Sequence, residues 1–288
     1  MRSKIKDQRS KIKNMGGQVV LLLVLITVVG LTIGLSLISR TVTDVRISSQ
    51  IEQSGRAFSA AEAGVESVLK GTVEGSEMTG SLNLQSASAD YKVNIQGNST
   101  DVFTMPLTEV GSTQTIWLAG HSQSGILDES GYTYPVSSPI DICWSTDPAG
   151  SPAIIVSLFY QEGSSYKIAK AAYDSNSTRG NNFYQADVSG GYCGGNYRFK
   201  KTITPSSNTP DGFSLPTTNI KLLFLRIQPL YANTALAVKP AGSDIIPIQG
   251  RLITSVGKTD TGIVRKIQVF QGYQTLPTML DFGLFTEN

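Results

Sequence analysis

One histidine, two cysteines and a scatter of carboxylates are the side chains of this 288-residue chain that could do chemistry, and their number limits what is available. His121 is the only histidine, so a multi-histidine metal centre is excluded and any Ser/His/Asp triad would have to use this residue. It follows a predicted strand in Ala119-Gly120-His121-Ser122, where an exposed loop histidine is expected. Asp128-Glu129 and Asp141 stand near turns without the alternating carboxylates of a calcium loop, and no Gly-rich loop closes on a lysine to hold phosphate. No catalytic, cofactor-binding or metal-binding residue is therefore assigned, no cofactor is expected, and the chain is read as a non-enzyme. Cys143 and Cys193 each fall in or beside a predicted strand. Two cysteines are the minimum for one bridge in an oxidising compartment, and two buried free thiols are the alternative.

The element that must position everything else lies at the N-terminus. From Val19 to Ser39 no residue is charged, and the polar groups Thr27, Thr32, Ser36 and Ser39 are hydroxyls that can bond back to their own helix. About 20 residues at about 1.5 Å each span about 30 Å of hydrocarbon. Arg2, Lys4, Lys6, Arg9, Lys11 and Lys13 precede the run against a single Asp7, so the positive-inside bias places the N-terminus in the cytoplasm and sends the chain beyond Arg40 outward. The helical pattern continues past the membrane: Ile47, Ile51, Phe58, Ala61, Val65, Val68 and Leu69 recur at intervals of three, four and seven, and Gly71 is the expected cap. A signal peptide fits poorly, because its apolar region is shorter and ends in a small-residue cleavage site.

A basic leader, Met15-Gly16-Gly17, the apolar opening Gln18-Val19-Val20-Leu21-Leu22-Leu23 and the segment Arg56-Ala57-Phe58-Ser59-Ala60-Ala61-Glu62-Ala63-Gly64 together resemble the type IV pilin-like proteins. More narrowly, they are similar to the PilX-type minor pilins and the tip pseudopilins of type II secretion. The resemblance covers about the first quarter of the chain. It implies that a prepilin peptidase cuts after Gly17, leaving Gln18 first, or after Gly16. It also implies that the helix packs with other pilin-like subunits, with Phe58 and Glu62 among its assembly residues, and that an inner-membrane assembly platform receives the subunit. Major pilins carry a glutamate at mature position five, where this chain has Leu22, or Leu21 for the earlier cut. That departure points away from bulk filament and toward an initiating or tip position, since no carboxylate is present to neutralise a neighbour's amine. Gly30 and Gly34 either loosen the helix or form a close-packing Gly-x-x-x-Gly face.

Downstream composition reads as extracellular β-structure, with short β-branched and aromatic runs between Gly, Ser, Thr and Asn. The expected class is α+β: a long pilin-like helix packed on an antiparallel β head that carries a β-sandwich-like insertion, with one continuous elaborated sheet as the alternative. The expected divisions are a leader at 1–17, the helix at 18–71, the first part of the head at 72–131, the insertion at 132–235 and a closing hairpin and tail at 236–288. Residues 72–80 read as a linker, and the apolar tail 276–285 either docks on the head or meets another subunit. The clearest hairpin pairs Gly250–Val256 with Ile263–Gln271, with alternating faces. Removing residues 1–17 takes away six basic side chains and one acidic one, turning the formal charge from +2 to about −3, so nucleic acid is not an expected partner. The function expected is a minor pilin-like structural subunit, in or at the tip of a surface filament or secretion pseudopilus, that presents its head for interaction or adhesion. The alternative is a membrane-tethered binding module or assembly factor that never polymerises.

Overall fold

Without a proline before Pro106, nothing interrupts the N-terminal run. In the computed structural model, which describes residues 16–70, 77–122, 124–275 and 277, it forms one α-helix, α1 (Gly16–Leu69), of 54 residues. Its length is about 80 Å at about 1.5 Å per residue. Residues 1–15, the expected cap at Gly71 and nearly all of the apolar tail lie outside the described residues.

Among the described residues the chain after the helix is built on β-strands, with one short 3-10 turn at Ser177–Arg179, so the protein is α+β. The strands are β1 (Met78–Leu84), β2 (Ala87–Gln96), β3 (Phe103–Thr104), β4 (Gln114–Trp117), β5 (Ile140–Trp144), β6 (Ala153–Glu162), β7 (Ser165–Asp174), β8 (Tyr184–Gln185), β9 (Phe199–Ile203), β10 (Ile220–Leu230), β11 (Leu236–Pro240), β12 (Gly250–Thr259) and β13 (Val264–Gly272). They form three sheets. The order β1-β2-β12-β13 makes an antiparallel sheet beside α1, β4-β10-β6-β7-β8 a second, and β3-β11-β5-β9 a third. Among the described strands only the β7–β8 pairing is parallel.

Alternation on the strands shows where the larger core sits. Ile154, Val156, Leu158 and Tyr160 project from β6 and Leu225 and Ile227 from β10, and they join Ile140, Ile142 and Trp144 of β5 and Leu236 and Val238 of β11 in one buried cluster. The second and third sheets therefore enclose one core. Its buried aromatics keep their polar tips bonded: Trp144 Nε1 donates to Pro152 O at 2.8 Å, Tyr134 Oη to Pro139 O at 2.7 Å and Tyr173 Oη to Pro210 O at 3.0 Å.

Three features differ from the sequence reading. The stretch read as a linker contributes Met78–Gly80 to β1, where Gly80 pairs with Tyr91 and a side chain there would overlap the Tyr91 phenol. Val102–Leu107 and Thr113–Ala119 were assigned to the first part of the head, yet β3 pairs with β11 and β4 with β10. These pairings join strands from either side of the expected divisions at 132 and 235. Leu236–Pro240, placed with the closing hairpin, is a central strand of the third sheet.

Cys143 of β5 is fully buried and bonded to Cys193, 50 residues on, with the two Cα atoms 6.2 Å apart. Cys193 lies in the turn between Tyr192 and Tyr197, so the bridge pins that turn to the sheet. Closing a loop of this size stabilises the fold by about 4 kcal/mol in the chain-entropy model. The double variant Cys143→Ala/Cys193→Ala is expected to lose that amount in denaturant unfolding under oxidising conditions; an unchanged midpoint would show that the bridge contributes nothing.

Candidate functional site

The helix has two halves with opposite surroundings. From Val19 through Val45 its apolar side chains stand away from the rest of the protein, Leu22 for instance 59% exposed. Among the described residues this is the one helix long and apolar enough to cross a membrane. Two of its hydroxyls bond back to the helix: Thr27 Oγ1 donates to Val24 O and Thr32 Oγ1 to Val29 O, each at 2.8 Å. No atom outside the helix comes within 4 Å of where a Cβ would stand at Gly30 or Gly34, so both present open backbone.

The second half docks on the first sheet, chiefly on β12 and β2. The buried residues are Ala57, Ala60, Ala61, Gly64, Val65 and Val68, at helical spacing, packed on Val93 and Ile253 and on Ala87 and Ala89. Small side chains let the two backbones nearly touch. A Cβ on Gly257 would overlap the carbonyl oxygen of Ala57 and stand 2.7 Å from Ala61 N, and one on Gly64 would overlap Ser255 Oγ. Ser255 Oγ is consequently buried without a hydrogen-bond partner. Polar contacts lock the two ends of the docked half. Arg265 Nε donates to Ser54 Oγ at 2.8 Å. At the C-terminal end Arg251, 4% exposed, donates from Nη2 to Val68 O at 3.1 Å and from Nε to Gln271 Oε1 at 2.7 Å. A cation at this end also complements the helix dipole.

Of the residues singled out from the sequence, Gly16, Gly17 and Gln18 begin α1, Leu22, Gly30 and Gly34 lie in its free apolar half, and Phe58 and Glu62 lie in the docked half. The expected apolar stripe is corrected in part. Ala61, Val65 and Val68 do face the sheet, but Ile47, Ile51, Phe58 and Leu69 stay exposed, Phe58 at 47%. Phe58 is too large for an interface this close, and Ala57, Ala60 and Gly64 occupy it. Phe58, Ile51 and Leu69, with exposed Glu62 at their edge, form a separate stripe beside the docked face. Cys143 and Cys193 lie in the third sheet and its flanking turn, away from the helix.

The sequence reading also misjudged His121, which belongs to the seam joining the first sheet to the rest. Its ring stacks on Tyr273, centroids 3.7 Å apart and planes within 5°, and meets the edge of Trp117 at 4.5 Å. The backbone of Trp117 is clamped by Gln249, whose Oε1 accepts from Trp117 N at 2.7 Å and whose Nε2 donates to Trp117 O at 2.8 Å. Nothing in the local pattern around Gln249 signals this role; its partner is 132 positions away.

No family model matches the chain, and a search of curated proteins finds no match.

Two predictions follow from this geometry. Gly257→Ala drives a methyl into the Ala57 carbonyl and is expected to undock the helix, destabilising the head by about 3 kcal/mol, the upper end of overpacking costs, whereas Ser255→Ala removes an unpaired hydroxyl and is expected to be neutral or stabilising. Thermal unfolding in detergent with limited proteolysis of residues 54–70 reads both effects, and a native-like Gly257→Ala would refute the close approach. For His121, burial disfavours the imidazolium and lowers the pKa from 6.5 to about 4. The unfolded chain then takes up a proton that the folded chain does not, so stability is full above about pH 6.5 and falls as pH drops toward 4. His121→Phe should flatten the unfolding midpoint between pH 6.5 and 5, and an unaltered slope would rule this contribution out.

Proposed function

We propose that this chain is a minor type IV pilin-like subunit, similar in plan to the PilX-type minor pilins and tip pseudopilins, which joins a surface filament or secretion pseudopilus through α1 and presents its β-rich head. The observation that carries this reading is the division of one unbroken helix into an apolar half free on all sides and a half seated on a four-stranded antiparallel sheet. A plain anchor needs only the first half. Here the rod is rigidly coupled to the head, so that any packing of apolar halves against one another fixes where the heads stand.

In this reading the leader is cut after Gly17, or after Gly16, by a prepilin peptidase. The helix is delivered by an inner-membrane assembly platform, with the N-terminus in the cytoplasm and the head outside. The Cys143–Cys193 bridge fits an oxidising, extracytoplasmic compartment. The stripe of Ile51, Phe58 and Leu69 with Glu62 is where a neighbouring pilin-like helix packs. Leu22 supplies no carboxylate for a neighbour's amine, so the subunit takes an initiating or tip position rather than repeating along the shaft. The second and third sheets are read as a β-sandwich inserted into the pilin-like head between β2 and β12, and the whole serves a structural rather than catalytic role.

N-terminal mass spectrometry of membrane and filament fractions is expected to find Gln18, or Gly17, as the first residue, and quantitative labelling of purified filaments is expected to find the subunit scarce and at one end. Mature material that still begins at Met1 and never co-purifies with filaments would replace this reading with a membrane-tethered module that does not polymerise.

A further inference from the structure

The seam between the first sheet and the rest of the head encloses a cavity of about 280 Å³. Its walls come from both sides: Phe103 and Trp117 from the larger unit, Phe270 from β13 and Tyr273 just beyond it. A second hollow of about 220 Å³ shares Gln96, Phe103 and Thr104 with the first. The two hollows therefore adjoin at these residues, beside the short edge strand β3.

The lining is selective in its chemistry. None of the fourteen residues around the larger cavity is charged, and the aromatic rings alternate with amides and hydroxyls, among them the half-buried Gln114 and Thr115 of β4. An ion entering here would lose hydration and find no counter-charge. A wholly apolar ligand would leave amides and hydroxyls without partners. A ligand with C–H faces and a rim of hydroxyls meets both demands, the faces lying on the rings and the hydroxyls bonding to the polar groups. The aromatic wall is also rigid, because Trp117 is clamped by Gln249 and held at its ring by His121, Phe224 and Tyr273. In the smaller hollow the one charged residue is Asp101, whose carboxylate accepts from Ser99 Oγ at 2.8 Å. A carboxylate there accepts from ligand hydroxyls and repels an anion.

We propose that these adjoining hollows bind a neutral oligosaccharide, one ring lying on the aromatic wall of the larger cavity and the chain continuing beside β3 past Asp101. The site deepens the reading of the head as a presenting head, and rests on that reading only for the setting in which the ligand is met.

The test uses the full chain in micelles of a sugar-free detergent such as an alkyl amine oxide, screened against neutral oligosaccharides of glucose, galactose, mannose and N-acetylglucosamine, with sialylated oligosaccharides as the anionic arm. Saturable binding of at least one neutral class is expected, weakened at least about tenfold in Phe270→Ala and in Thr115→Val. Phe270 is 52% exposed and the second change is nearly isosteric, so the fold should persist, as checked by the unfolding midpoint; if one variant loses its fold, the other decides. Tyr166→Ala, at an exposed position on β7, should bind as the unaltered chain does. Binding of no neutral oligosaccharide, preference for the sialylated arm, or undiminished affinity in the folded variants would overturn the proposal. Leader processing and filament co-purification, measured on the same variants, are independent of the two hollows, so failure of the sugar site and failure of the pilin-like reading give different results.

Discussion

The near-contact of two backbones governs this molecule. Where Ala57 and Ala61 cross Gly257, and Gly64 crosses Ser255, there is no room for a further carbon atom. That constraint selects alanine and glycine along one side of the helix and glycine and serine on β12, and it pushes larger side chains such as Phe58 to the flank. Because interiors are close-packed and resist deformation, the rod and the sheet move as one piece. The buried guanidinium of Arg251 strengthens the coupling by tying the helix C-terminus to β12 and β13 together.

A different interaction joins the first sheet to the remaining nine strands. Gln249 stands at the end of the return into β12 and offers its amide to the backbone of Trp117 as a strand neighbour would, accepting from the N–H and donating to the carbonyl. Side-chain mimicry of a strand ends β4 without an exposed edge at that point. It also fixes Trp117 against His121 and Tyr273, making an aromatic stack out of residues from both units.

How much of this was legible depended on whether the signal was local. The helix was legible because a charge-free run and an alanine-rich run follow each other without a breaker. The pair β12 and β13 was legible because the alternation of Ile267 and Val269 against Lys266 and Gln268 is local too. The helix face was only half legible: hydrophobicity ranks Phe58 above Ala57 and Gly64, while an interface set by backbone distance ranks them the other way. The partners of β3 and β4 were not legible because these strands have two residues and four, too few to show a period, and pair with β11 and β10 far along the chain. The seam was invisible, since Gln249, Trp117, His121 and Tyr273 are brought together only by the fold.

The path between β2 and β12 has one more implication. The chain leaves the first sheet at Gln96 and re-enters beside it, with Gln249 N donating to Gln96 O at 2.8 Å and Asn98 N to Ile246 O at 2.7 Å. Everything from residue 98 to residue 248 therefore hangs from two adjacent strand ends. Closing such a span costs little more for a long segment than for a short one, the penalty rising only with the logarithm of length, and insertions are tolerated where the two ends lie together. Evolution can enlarge, trim or exchange this cartridge without re-registering a single pair in the sheet that carries the rod. The inserted unit and the sheet that seats the helix are in that sense separately variable parts of one chain.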